Sequence, residues 1–173
     1  MNRAIRTLVL VLTTLLAVVL LAAPASAAVS TACVTPWGSL EKDNLTMGLG
    51  EVDTVRAGRH ACFDRLVVDI DGPVAGFNVR YVDQITQDAS GFLVPTKGAG
   101  KRLQVVVRHP SFSPLTMPNV TGFTTFRQVV FAGSFEGQTT LGIGLRNGPL
   151  PFRVFTIPGG HGRLVVDVAH KWN

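Results

Sequence analysis

A hydrophobic period of two is the pattern that most limits the folds open to this chain. From Val52 onward, short segments alternate apolar with polar side chains, and glycine, proline or asparagine residues separate them. Leu103, Val105 and Val107 alternate in this way with polar neighbours. Successive side chains of a β-strand point to opposite faces, so each segment predicts a strand with one apolar face. The sequence therefore predicts an all-β fold, an antiparallel β-sandwich of two sheets with about eight or nine strands.

One pentapeptide, Arg-Leu-Val-Val-Asp, occurs at residues 65–69 and again at residues 163–167. The two copies share one in-out pattern, in which the Leu and the second Val point inward. We predict that they occupy equivalent positions in two facing sheets, with the flanking Arg and Asp side chains in solvent.

Two of the predicted connections between strands can be recognised in the sequence. Residues 133–137 (GSFEG) do not place a serine midway between the two glycines, as the Gly-x-Ser-x-Gly nucleophile elbow requires, so they predict a hairpin connection that holds Glu136 in solvent. Residues 110–125 contain Pro114 and Pro118 and predict a long loop, which is a candidate wall of a ligand site.

Residues 1–27 have the pattern of a secretory signal peptide. Arg3 and Arg6 precede an apolar run over residues 8–23, and small residues follow at 24–27. The run is shorter than the roughly 20 residues that a spanning helix needs, although an uncleaved anchor remains the alternative. We expect a helical signal that is cleaved after Ala27, a secreted or wall-associated protein, and no membrane span after cleavage. Residues 28–50 then form an N-terminal arm that Trp37 packs along the sandwich, and residues 51–173 form the sandwich domain.

The charge balance limits the partners. Cleavage would remove Arg3 and Arg6 from the 16 Lys and Arg residues, leaving 14 against 11 acidic residues and a formal net charge of +3. This charge is too small to indicate nucleic acid as a partner. Arg outnumbers Lys, and Ala, Val and Gly are abundant, a bias that is typical of GC-rich bacterial genomes.

Cys33 and Cys62 are the only cysteines in the sequence. An exported protein meets an oxidising compartment, where two cysteines allow one connectivity, so we predict a disulfide. Closing a loop of about 30 residues would stabilise the fold by roughly 3–4 kcal/mol and tie down the N-terminal arm.

Metal and acid–base chemistry lack a sequence signature. The four histidines form no HExxH or His-x-x-x-His pair, so we expect no metal site and no cofactor. The alternative is a small envelope hydrolase whose residues converge only in the fold, around His161, Asp167 and His170.

Polar residues gather on the strands near Val55, and they suggest a ligand-binding surface. Arginine side chains on the solvent side of a sheet bind carboxylates, sugar hydroxyls and acetamido groups, and an aromatic ring stacks on a sugar. An ordinary solvated face carries similar residues and is the alternative. The candidate ligand-binding residues are Trp37, Arg56, Arg59, His60, Arg80 and Tyr81.

Several strings resemble the AMIN-like domain of secreted and lipid-anchored actinobacterial proteins. They lie at residues 55–60 (VRAGRH), 62–69 (CFDRLVVD), 133–140 (GSFEGQTT), 151–155 (PFRVF) and 162–167 (GRLVVD). The resemblance covers the chain from about Trp37 to His170 and implies a two-sheet β-sandwich. It also implies the role of the related AMIN domains, which bind peptidoglycan without catalysis and so target cell-wall amidases and secretins to the envelope.

We therefore expect a secreted, non-catalytic cell-envelope protein that binds peptidoglycan or a wall-associated protein. The small envelope hydrolase and a protein-interaction module that pairs through an open sheet edge are the alternatives.

Overall fold

The structure is a computed structural model that describes residues 33–172, so the predicted signal peptide lies outside the described residues. Between residues 33 and 172 the regular secondary structure consists of β-strands, joined by turns and loops. The nine strands are β1 (Lys42–Asn44), β2 (Glu51–Arg59), β3 (Phe63–Asp71), β4 (Phe77–Val82), β5 (Arg102–Val107), β6 (Phe126–Phe135), β7 (Gln138–Leu145), β8 (Phe152–Ile157) and β9 (His161–Ala169). This described part contains no helix that could cross a bilayer.

The strands form two antiparallel sheets that share one core. The five-stranded sheet has the order β1-β4-β5-β7-β6, and the four-stranded sheet has the order β2-β3-β9-β8. Leu66 and Val68 of the four-stranded sheet belong to the same buried cluster as Leu103, Val105 and Leu141 of the five-stranded sheet. Because alternate residues of each strand are apolar, the two apolar faces are buried against each other. The predicted antiparallel sandwich is confirmed.

The two pentapeptide copies do not lie in facing sheets, and that prediction is wrong. They form the central part of β3 and β9, which are antiparallel neighbours in the four-stranded sheet. The register pairs Arg65 with Asp167 and Asp69 with Arg163. Antiparallel pairing places the Arg of each copy opposite the Asp of the other, and opposite charges across two strands stabilise a sheet.

The inward residues of the repeat behave as predicted. Leu66, Val68, Leu164 and Val166 are all fully buried. The outward Asp167 is the exception to the expectation of solvated charges, because its side chain is also fully buried.

The N-terminal segment is part of the sandwich structure. Its strand β1 pairs with β4 and forms an edge of the five-stranded sheet. Cys33 is bonded to Cys62, with 5.3 Å between their Cα atoms, which confirms the predicted disulfide. Trp37 packs edge to face on Phe63, with 5.6 Å between the ring centroids.

The predicted hairpin connection is confirmed. Strands β6 and β7 are joined by Glu136 and Gly137, whose φ angles are 48° and 77°. Positive φ at both central residues is the geometry of a type I′ hairpin turn. The Glu136 side chain is exposed, and residues 110–125 form the predicted long loop between β5 and β6.

The outer faces of the two sheets differ. Ile85, from the loop after β4, packs on Val130 and Ala132 and so covers part of the outer face of the five-stranded sheet. Gly142 makes room for this loop, because a Cβ there would lie 2.6 Å from Ile85 Cγ1. The outer face of the four-stranded sheet instead presents charged and aromatic side chains, which form the candidate site.

Candidate functional site

Four arginines and two aspartates project from the outer face of the four-stranded sheet. The strand register brings these side chains side by side because each occupies an outward position of its strand. We call this set the arginine face: Arg56, Arg65, Arg153 and Arg163 with Asp69 and Asp167.

Asp167 lies at the centre of the arginine face and binds two arginines. Its carboxylate accepts hydrogen bonds from Arg65 Nε at 2.6 Å and from Arg65 Nη2 at 2.9 Å. Its Oδ2 atom also accepts from Arg153 Nε at 2.8 Å and forms an ion pair with Arg153 Nη2 at 2.8 Å. Hydrogen bonding to Asp167 raises the pKa of Arg65. Two guanidinium groups compensate for the burial of the Asp167 carboxylate.

Asp69 holds Arg56 in the same manner. The Nε and Nη2 atoms of Arg56 both lie 2.6 Å from the Asp69 carboxylate, and Thr54 Oγ1 donates to it at 2.9 Å. The hydrogen bonds from Arg56 are the main cause of the lowered pKa of Asp69. A bidentate pair fixes the plane of the guanidinium, so Arg56 is held in one orientation on the sheet.

Aromatic rings border the paired arginines at one side of the face. The guanidinium carbon of Arg153 lies 4.5 Å from the Trp37 ring centroid and 5.1 Å from the Phe155 ring centroid. That of Arg65 lies 5.2 Å from the Phe63 ring centroid. These distances are within the range of cation–π interactions. The rings thus further restrict the side-chain orientations of Arg65 and Arg153, which Asp167 already binds.

A concavity of about 280 Å³ opens on the arginine face between β2, β3, β8 and β9. Arg56, Arg65 and Arg163 supply its charged walls. Apolar or small residues complete its lining, and they are Ala57, Gly58, Val67, Ile157 and Val165. Within residues 33–172, the Arg163 side chain forms no ion pair or hydrogen bond. With four guanidinium groups against two carboxylates, the arginine face has an excess of positive charge.

The structure brings three of the predicted ligand-binding residues to this region. Arg56 lines the concavity, Trp37 stacks on Arg153, and the His60 ring stacks on Phe63 with 4.5 Å between centroids. Arg59 lies at the end of β2, where its Nη1 donates to the Gly122 carbonyl oxygen at 3.0 Å. Arg59 therefore contacts the long loop and does not line the concavity.

Arg80 and Tyr81 lie on β4 of the other sheet. Arg80 Nε donates to Gln104 Oε1 at 3.3 Å. The Tyr81 hydroxyl donates to the Leu150 carbonyl at 2.7 Å and accepts from the Leu150 amide at 2.9 Å. Burial raises the pKa of Tyr81 to about 12. The Tyr81 ring packs against the core, so it is not on the same surface as Arg56.

Asp64, which lies opposite Arg59 on the neighbouring strand β3, points inward and is fully buried. Its Oδ2 atom accepts from the amides of Thr125 and Phe126 at 2.6 and 2.9 Å. No described residue donates to its Oδ1 atom. Asp64 therefore anchors the end of the long loop where β6 begins.

The three residues of the hydrolase hypothesis do not converge. His161 begins β9 and lies 3.5 Å from Asp71, whereas His170 follows the last residue of β9. The His170 ring lies 2.8 Å from Thr125 Oγ1 and 3.0 Å from the His60 carbonyl oxygen. Asp167 binds two arginines and no histidine.

His109 is fully buried and satisfied. Its Nδ1 lies 2.9 Å from the Gly50 carbonyl oxygen, and its Nε2 accepts from the Ala75 amide at 2.9 Å. Across residues 33–172, no group of three or more His, Cys, Asp and Glu side chains is arranged to hold a metal ion.

Sequence reasoning missed Arg65, Arg153 and Arg163 as members of the surface. The signal that would have found two of them is the repeated pentapeptide. Antiparallel pairing of its two copies puts each Arg opposite an Asp, and a sequence with this symmetry predicts a charged ladder on one face.

Comparison with known proteins adds one match. A family model described as the AMIN-like domain matches residues 50–170 of this chain. These residues include β2 to β9 and thus all six residues of the arginine face. Neither the curated proteins nor the solved structures gave a match.

Proposed function

Because the chain belongs to the AMIN-like domain family, we propose that it is a non-catalytic cell-envelope protein that binds peptidoglycan or a wall-associated partner through its arginine face. The family supports a cell-envelope-related domain that is typical of extracytoplasmic proteins, and the Cys33–Cys62 disulfide fits that location.

The concavity between Arg56, Arg65 and Arg163 is the observation that carries this proposal. Guanidinium groups bind carboxylates with bidentate geometry and donate to carbonyl oxygens of acetamido groups. Peptidoglycan offers both groups, as the carboxylates of its peptides and the acetamido groups of its sugars. Asp69 and Asp167 already orient Arg56 and Arg65, so these two side chains lose little freedom when a ligand binds.

Sedimentation with purified peptidoglycan tests the proposal. The purified protein is mixed with peptidoglycan over a series of salt concentrations, and the sedimented fraction is measured. We expect sedimentation at low salt and less as salt rises, because salt screens exposed charges. Recovery of all the protein in the supernatant at low salt would contradict peptidoglycan binding.

A matched pair of variants tests the surface itself. Arg163→Gln removes the cation of the concavity that forms no ion pair within residues 33–172. Arg80→Gln removes a half-exposed cation from the other sheet. We expect Arg163→Gln to weaken binding by about fivefold or more, the loss of one charge-assisted hydrogen bond. Arg80→Gln should bind like the unmodified protein. Equal effects of the two substitutions would assign binding to net charge rather than to the arginine face.

A further inference from the structure

A second concavity lies at the end of the five-stranded sheet, away from the arginine face. Its volume is about 490 Å³, and it is lined by Lys97, Gly98, Ala99, Arg127, Leu145 and Arg146. We call it the end pocket. Three of its six lining residues are cations, and none is a carboxylate.

The wall that carries Lys97 is held against the sheet by two hydrogen bonds. The Lys97 amide donates to Gln128 Oε1 at 2.7 Å, and the Ala99 amide donates to the Leu145 carbonyl oxygen at 2.8 Å. Two glycines permit this close approach. A Cβ on Gly144 would lie 1.8 Å from the Lys97 carbonyl oxygen, and one on Gly98 would lie 2.9 Å from the Leu145 backbone. The two glycines keep side chains out of this contact, so the backbone at Lys97 lies close against the sheet.

A β-bulge directs Arg127. The register pairs Phe126 with Leu145 and Gln128 with Gly144, which leaves Arg127 as the extra residue of β6. Such a bulge turns the side chain of the extra residue away from the regular alternation of the strand. Phe126 beside it is fully buried, whereas Arg127 is exposed at the pocket.

Arg146 is anchored by its inner nitrogen. Its Nε donates to the Phe123 carbonyl oxygen at 2.8 Å, and its amide donates to the Thr125 carbonyl oxygen at 2.9 Å. These two bonds hold the side chain at the pocket and leave the terminal nitrogens of its guanidinium for a ligand.

The charge of the end pocket is not balanced by the protein. None of Lys97, Arg127 and Arg146 forms an ion pair with any residue between 33 and 172. On the arginine face, by contrast, Asp69 and Asp167 neutralise part of the charge. Three cations that line one pocket without a carboxylate produce a positive potential, which favours a compact anion with more than one charge.

We propose that the end pocket binds a phosphate group, carried by a soluble phosphate ester or by a phospholipid headgroup. A phosphate offers several oxygens around one centre, which suits three cations that come from three different segments. Arginine and lysine both bind phosphate, arginine with its planar fork and lysine as a point charge. The pocket volume of about 490 Å³ is larger than a phosphate group and leaves space for the organic part of an ester.

Titration followed by NMR tests the soluble ligand. Glycerol 3-phosphate is added to the purified protein in a buffer without phosphate, and the amide resonances of residues 97–99, 127 and 146 are followed. We expect saturable shifts at these residues. We expect Arg127→Gln to weaken binding by about fivefold or more and the double variant with Lys97→Gln to abolish it. Arg80→Gln is the matched control and should bind normally.

Sedimentation with vesicles tests the lipid source. Vesicles that contain phosphatidylglycerol, whose headgroup phosphate has no cation beside it, are compared with vesicles of phosphatidylcholine alone, whose choline group balances the phosphate charge. Binding to the former that Arg127→Gln reduces would assign the phosphate to a lipid headgroup, whereas binding of glycerol 3-phosphate alone would assign it to a soluble ester. Absence of both, or equal loss in Arg80→Gln and Arg127→Gln, would overturn the proposal. Because Arg127→Gln leaves the arginine face intact, its effect is separate from peptidoglycan binding through Arg163.

Discussion

Arg65 lies directly opposite Asp167 on neighbouring antiparallel strands, and its Nε and Nη2 atoms bind the two oxygens of that fully buried carboxylate. Both residues belong to copies of the same pentapeptide, so the repeat produces its own cross-strand ion pair. Arg153 joins the pair from β8 and makes Asp167 the link between three of the four strands in this sheet.

Substitution of Asp167 tests the importance of this link. We expect Asp167→Asn to lower the free energy of unfolding by about 1–3 kcal/mol, because it weakens hydrogen bonds from two charged donors. Urea denaturation measures the change. Asp83→Asn is the control, since Asp83 is 85% exposed and forms a surface ion pair with Lys101, and it should change stability by less than about 1 kcal/mol. Similar values for the two variants would contradict a stabilising role for Asp167.

Asp69 predicts a dependence of stability on pH. Hydrogen bonds from Arg56 lower the pKa of Asp69 in the folded protein below its ordinary value of 3.8. A carboxyl group whose pKa is lower in the folded state stabilises the protein at pH values above its pKa in the unfolded state. This contribution is lost as the pH falls through the pKa of the folded state. We therefore expect stability to fall as the pH drops below the ordinary pKa of 3.8 and through the lower folded-state pKa, and to fall less in Asp69→Asn.

Urea denaturation over a pH series measures this dependence. Asp53→Asn, at an exposed position on the neighbouring strand, serves as the control and should follow the unmodified protein. An acid dependence that is the same with and without the Asp69 carboxylate would refute the assignment.

Removal of the disulfide is expected to change both the stability of the protein and the packing of the N-terminal segment. We expect the double variant Cys33→Ser, Cys62→Ser to lose about 3–4 kcal/mol of stability, because the unfolded chain is no longer restricted by a closed loop. The contact between Trp37 and Arg153 should also loosen, which tryptophan fluorescence reports. An unchanged thermal midpoint and an unchanged emission spectrum would show that other contacts hold this segment alone.

The β6–β7 turn predicts a stabilising substitution. Glu136 has a φ angle of 48°, a conformation in which asparagine is favoured over most residues with a side chain. We expect Glu136→Asn to raise the free energy of unfolding by about 0.5 kcal/mol and Glu136→Val to lower it by about 1 kcal/mol. Thermal denaturation measures both, and stabilisation by valine would exclude the turn geometry as the cause.

Local patterns predicted most of the fold. The alternation in Leu103, Val105 and Val107 follows from the two-residue period of a strand, and the turn at Glu136 and Gly137 follows from glycine between two strands. The disulfide followed from the cysteine count and the expected compartment. Each of these inferences needs only neighbouring residues or one possible pairing.

The candidate surface could not be obtained in the same way. Arg56 and Tyr81 both lie on strands with one polar face, but the order of the strands in two sheets puts them in different environments. The outward position of Asp167 predicted a solvated side chain, but that side chain is buried and binds Arg65 and Arg153. These contacts join residues that are far apart in the chain.

The all-β sandwich and its disulfide follow from the amino-acid sequence alone, because alternation and turn residues act locally and two cysteines allow one pairing. The pairing of the two pentapeptide copies with each other, and the lining of one pocket by Lys97, Arg127 and Arg146, could be seen only in the folded protein. Strand pairing and bulges depend on the free energy of the whole packed sandwich, and the period-two pattern is compatible with many strand orders.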